Sequence, residues 1–76
     1  MARRRNNHDV DADIGARILR QRLKLNLTQG ALGKSIGVTF QQVQKYERGE
    51  NAIASSRIPA LCRALDILPN DLFGMK

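Results

Sequence analysis

Between residues 28 and 49 the chain carries size and shape requirements at spacings that leave few ways to fold. Counting from Gln29, the fourth position is apolar (Leu32) and the fifth is small (Gly33). The eighth and tenth are apolar (Ile36, Val38), and the ninth is Gly37, which accepts positive φ. The fifteenth and eighteenth, Val43 and Tyr46, are the anchors of a second helix. Apolar residues at helical spacing on both sides of a glycine turn predict two short helices that cross closely at Gly33. A random amphipathic hairpin would seldom meet every one of these requirements.

Cap signals fix the ends of the two helices. Thr28 suits the N-cap of a helix from Gln29 to Ile36. Thr39 opens the next helix, with Gln42 placed to complete a capping box and Gly49 to stop it. This is the grammar of a helix-turn-helix, whose second helix enters the DNA major groove in proteins that read duplex DNA. Opposite Val43 and Tyr46, that helix turns Gln41, Gln44, Lys45 and Arg48 outward.

The rest of the chain predicts further helices. A first helix runs from about residues 9–13 to Lys24, with one of Asp9, Asp11 and Asp13 as N-cap and Ile14, Ile18, Leu25 and Leu27 inward. Ser55 or Ser56 starts a fourth helix, with Pro59 tolerated in its first turn and Ile58, Leu61, Cys62 and Leu65 as its buried stripe. Asp66 takes the turn after it, and Pro69 begins a short fifth helix containing Leu72 and Phe73. No segment alternates with period two. The expected fold is all-α: a compact five-helix domain at residues 13–76, preceded by a basic, flexible arm at residues 1–12.

At 76 residues there is room for one small core. No apolar stretch is long enough to span a bilayer, and no apolar segment follows the N-terminal arginines as a secretory signal requires. Cys62 is the only cysteine, so no internal disulfide or cysteine-based zinc site can form. Among Leu61 and Leu65 it suits a small buried hydrophobe better than a nucleophile. A reducing, cytoplasmic and nucleoid-associated location is expected. The net charge of +6 favours a polyanionic partner, nucleic acid before an anionic membrane surface. Solubility alone could also explain it, but Arg3, Arg4 and Arg5 are concentrated in one terminal run.

The chain resembles the Cro and phage-repressor type of helix-turn-helix regulators, the XRE family, in a lambda-repressor-like fold. The resemblance rests on Ile14-Gly15-x-Arg17-Ile18, Leu27-Thr28-Gln29, Leu32, Ile36-Gly37-Val38-Thr39, Tyr46-Glu47-Arg48-Gly49 and Ala64-Leu65-x-Ile67 through Leu72-Phe73. It covers residues 13–73. Two positions depart from the pattern: Asp66 stands where glycine is usual, and Leu68 where a serine or threonine cap is usual. The resemblance implies that Arg22, late in the first helix, pairs with Glu47 at the end of the third. A fork-shaped guanidinium suits such a bidentate, partly buried pair.

Gln41 and Lys45 are the main candidate base readers, with Gln44 next: glutamine pairs bidentately with adenine, and lysine donates to guanine N7 and O6. Thr39 and Phe40 at the helix tip are placed to touch a thymine methyl, although an aromatic there equally suits packing over the end of the second helix. Gln29, Thr28, Gln42 and Arg48 are candidate phosphate contacts, Gln29 aided by the positive end of its helix. A merely solvated polar face is the competing account of the glutamines. Arg3, Arg4 and Arg5 either follow the DNA backbone or minor groove, or form a solvated tail; the first is favoured, without specificity.

Catalysis finds no support. His8 falls in the arm with no fixed partner, and neither a phosphate-cradling glycine loop nor metal-ligand spacing is present. No cofactor is expected. The function implied is a regulator, chiefly a repressor, that binds double-stranded DNA as a homodimer on an inverted repeat. The alternative is an antitoxin-type module that neutralises a toxin and autoregulates its operon. The apolar C-terminal residues Leu68, Leu72, Phe73 and Met75 either complete the core or form a dimer contact, with Leu72 assigned to the core.

Overall fold

The computed structural model describes residues 7–75, with side chains from Asp9 onward. Five helices occur in the order α1 (Asn7–Lys24), α2 (Gln29–Ile36), α3 (Phe40–Glu47), α4 (Ile58–Leu65) and α5 (Pro69–Phe73), with a 3₁₀ turn at Ser55–Arg57 before α4. There is no strand among the described residues. The all-α, five-helix expectation holds.

Every helix closes the same way. Bonds from Leu27 N–H to Arg22 O (3.0 Å), Val38 to Gly33 (2.8 Å), Glu50 to Lys45 (2.9 Å), Ile67 to Cys62 (3.0 Å) and Met75 to Asn70 (2.8 Å) wrap around one residue with positive φ. These wraps satisfy carbonyls that a helix end would otherwise leave unpaired. Glycine holds three of the turning positions, and Asn26 (φ 59°) and Asp66 (φ 55°) hold the other two. Both are residue types whose short polar side chains tolerate the left-handed region.

The closing turns and caps make α2–turn–α3 a tight unit. Thr28 Oγ1 accepts from Ala31 N–H at 3.0 Å, and Thr39 Oγ1 from Gln42 N–H at 3.2 Å, as the threonines predict. At Gly33 an added Cβ would lie 2.6 Å from Val38 O, so the small residue is required by backbone contact between the two helices. The core gathers Ile18, Leu32, Ile36, Val43, Tyr46, Leu61, Cys62, Leu65 and Leu72.

The structure corrects several expected boundaries. No aspartate caps α1, which already includes residues 7–12: Asp9 falls in its first turn. Nothing in that stretch breaks a helix, and Ala12 lies against Gly49, where a Cβ would come within 2.7 Å of the Ala12 Cα. His8 therefore belongs to α1. Leu25 is exposed and Leu27 only half-buried, outside the residues packed on the core, because α1 ends at Lys24 and the chain turns at Asn26. Neither Ser55 nor Ser56 caps α4; they form the 3₁₀ turn, and α4 begins at Ile58 with Pro59 in its first turn. Leu72 is fully buried, while Leu68, Phe73 and Met75 stay exposed.

Candidate nucleic-acid interface

Arg22 and Glu47 meet as the family resemblance implies. Arg22 Nε donates to Glu47 Oε2 at 2.6 Å and Nη2 to Oε1 at 3.0 Å, a two-pronged pair whose side chains keep only 10% and 5% of their surface exposed. Arg22 Nη1 also donates to Leu27 O at 2.9 Å. The hydrogen bond that Arg22 donates to Glu47 raises the guanidinium pKa above its ordinary value, against the opposing effect of burial. The pair thus ties the end of α1 to the end of α3, and no buried side-chain N or O among the described residues is left without a partner.

Gln29 joins this network. Its Nε2 donates to Glu47 Oε1 at 3.0 Å, fixing the start of α2 to the end of α3. The side chain expected to reach for a phosphate is therefore first an internal strut. The first-turn amides of Gln29 and Gly30 precede the first helical bond of α2 (Leu32 N–H to Thr28 O, 3.0 Å), where backbone donors and the helix dipole favour an anion.

On α3, Val43 and Tyr46 are buried and Gln41 and Lys45 are exposed, as is Arg48 just past its end. Gln44 and Gln42 are half-buried, so the open polar surface centres on Gln41, Lys45 and Arg48. Phe40 keeps 53% of its surface exposed at the tip beside Thr39. An amide and an ammonium four residues apart, with an aromatic alongside, offer a donor and acceptor set and an apolar contact matched to base edges. Arg3, Arg4 and Arg5 lie outside the described residues.

Further ties hold this surface in place that local sequence patterns do not reveal. Arg57 Nη1 donates to Ile36 O at 2.7 Å, capping the end of α2 at the turn itself. Gln21 Nε2 donates to Leu65 O at 2.9 Å and joins α1 to α4. At Gly15 an added Cβ would collide with Tyr46 O, so α1 rests directly on the backbone of α3. Cys62 is buried, and burial together with the charge of Asp71 pushes its thiol pKa up. Among the described residues no group of three or more His, Cys, Asp or Glu side chains could hold a metal ion, and no helix is long and apolar enough to cross a membrane.

A close α2–α3 crossing, a glycine turn between them and an exposed polar face on α3 define a helix-turn-helix domain. Residues 18–72 match the helix-turn-helix family profile, and the chain belongs to that family, in its Cro and phage-repressor (XRE) branch. It is 46% identical over 70 residues to an uncharacterized HTH-type transcriptional regulator of Sinorhizobium fredii, covering 92% of this chain and 49% of the relative. The chain thus spans about half the length of that relative. Among solved structures it is similar to the restriction-modification controller protein C.AhdI from Aeromonas hydrophila (TM-score 0.83, 29% identity, 91% of this chain and 100% of that one). It is likewise similar to the P22 c2 repressor in complex with a synthetic operator (TM-score 0.77, 35% identity, 83% of this chain and 96% of that one).

Proposed function

We propose that this chain is the DNA-reading domain of a sequence-specific transcriptional regulator, acting as a repressor by occupying an inverted-repeat operator as a dimer. The observation that carries the reading is the exposed Gln41–Lys45 face of α3, held at a fixed angle by the Arg22–Glu47–Gln29 network. Likeness to a repressor crystallised with its operator supports the same reading. Gln41 and Lys45 read base edges, Gln44 and Thr39 contribute at the margins, and Phe40 meets a thymine methyl. The α2 start (Thr28, Gln29), Gln42 and Arg48 position the backbone. Arg3, Arg4 and Arg5 add affinity without specificity.

Selection of the purified chain against a randomised duplex pool at physiological salt tests this. An inverted repeat should be recovered, and Lys45→Ala should lower discrimination at one base pair by about 1–3 kcal/mol. Salt-sensitive binding to every duplex alike, with no recovered motif, would refute sequence reading by this chain.

A further inference from the structure

A gap in the packing lies behind α3. It is a cavity of about 150 Å³ between α1, α3, the connector from α3 to α4, and α5, lined by Ile14, Tyr46, Ile53, Ile58 and Phe73. The centre of the core is closed by comparison: Val43, Leu61, Leu65 and Leu72 keep no exposed surface. Ile14, Ile53 and Ile58 pack against that core and stay partly open, and Phe73 stands 40% exposed beside them. Among the described residues Tyr46 is the one side chain of α3 in the lining, so Gln41, Lys45 and Arg48 take no part in it.

Size and lining define what can enter. An apolar cavity of about this volume holds one benzene-sized ring. Two aromatic rings in the wall, Tyr46 and Phe73, suit a cation as well as an apolar body. Asp11 of α1 is half-buried in the same lining. Asp9 and Asp13 are engaged within the chain, but Asp11 makes no hydrogen bond or ion pair among the described residues. Lys and Arg outnumber Asp and Glu by 13 to 7, so its isolation reflects position and not a shortage of cations. A carboxylate without a partner at the edge of an apolar hole attracts an ammonium group and repels an anion.

We propose that this cavity is a binding site for a small amphiphilic cation, with a single ring or short alkyl body seated among the isoleucines and a primary ammonium donating to Asp11. The site lies on the core side of α3, so a ligand there leaves the reading face open. Tyr46 O accepts from Gly49 N–H at 3.1 Å where the connector begins, and Ile53 of that connector forms another wall. A bound ligand therefore touches the segment that joins α3 to α4. The site exists without DNA, so its test is separate from the test of sequence reading.

Titration of the full isotope-labelled chain with benzylamine, protonated at neutral pH, followed by amide NMR shifts, provides the test. Saturable shifts should centre on Ile14, Tyr46 and Ile53, with a dissociation constant of about 0.1–1 mM, the range that about eight heavy atoms supply. Benzyl alcohol, of the same shape without the charge, should bind about fivefold more weakly, and benzoate not measurably. Asp11→Asn should erase the preference for the amine while benzyl alcohol still binds, which damage to the fold would not do. Ala52→Trp, at an exposed position of the cavity wall, should abolish binding of both, with circular dichroism showing that helix content is kept. Absence of saturable shifts at these residues would overturn the site. Benzoate binding as tightly as benzylamine, or Asp11→Asn leaving the preference for the amine intact, would overturn the assignment to a cation.

Discussion

Replacing Glu47 by alanine should come close to unfolding this domain. The Glu47 carboxylate accepts from Arg22 Nε at 2.6 Å, Arg22 Nη2 at 3.0 Å and Gln29 Nε2 at 3.0 Å, and both charged side chains are at least nine-tenths buried. Truncation leaves the guanidinium buried with only Leu27 O as partner. Stranding one member of a buried pair costs about 3–5 kcal/mol. A chain of 76 residues has a total stability of only about 4–11 kcal/mol on the usual per-residue scale. At about 4–8 °C per kcal/mol for a domain of this size, the midpoint should fall by about 12–40 °C. Thermal unfolding followed by circular dichroism measures it, with Arg22→Met and the Arg22→Met/Glu47→Leu double variant alongside. The double variant should be more stable than the Glu47→Ala single, because an apolar pair leaves no stranded charge. A midpoint within about 2 °C of wild type for Glu47→Ala would refute the reasoning, since only a solvated pair costs so little.

Other expectations rest on single contacts. Gly33→Ala places a Cβ 2.6 Å from Val38 O and should cost about 1–3 kcal/mol in chemical denaturation, more than the gain in helix propensity returns. Leu68→Thr should stabilise by about 1 kcal/mol: residue 68 is exposed, its amide already donates to Asp71 Oδ2 at 3.2 Å, and a hydroxyl would supply the missing acceptor at the start of α5. The raised thiol pKa of Cys62 gives a signed pH effect. Its folded state favours the protonated thiol, so the corresponding stability is complete below the unfolded value of about 8.5 and is lost as pH rises through the higher folded value. The stability difference between wild type and Cys62→Ala should therefore shrink above about pH 8.5, and a constant difference would contradict a buried thiol. Iodoacetamide should label Cys62 only as fast as the chain opens.

The α2–turn–α3 unit was legible residue by residue because its requirements are local. Thr28 and Thr39 cap helices that begin at the next residue, Gly37 turns with φ 78°, and Gly33 is small where backbone crosses backbone. Asp66 takes the turn after α4 as its sequence position implies, with φ 55°, since the choice depends on little beyond the preceding helix. The start of α1 and the exposure of Leu25 are not legible in the sequence, for the opposite reason. Ala12 lies against Gly49 and extends α1 backward, while the turn at Asn26 closes α1 and leaves Leu25 exposed and Leu27 half-buried.

The sequence by itself determined the helices, the turn between α2 and α3 and the polar residues that α3 displays, because period, caps and side-chain size act over a few residues. Only the tertiary structure decided that Gln29 braces Glu47, that Arg57 caps Ile36 and that α1 leaves Leu19 and Leu23 on an open face. Those outcomes join residues 18 and 21 positions apart, or depend on which side of a helix its neighbours cover. Short-range pattern carries no information about either, because long-range partners are selected by packing the whole core at once.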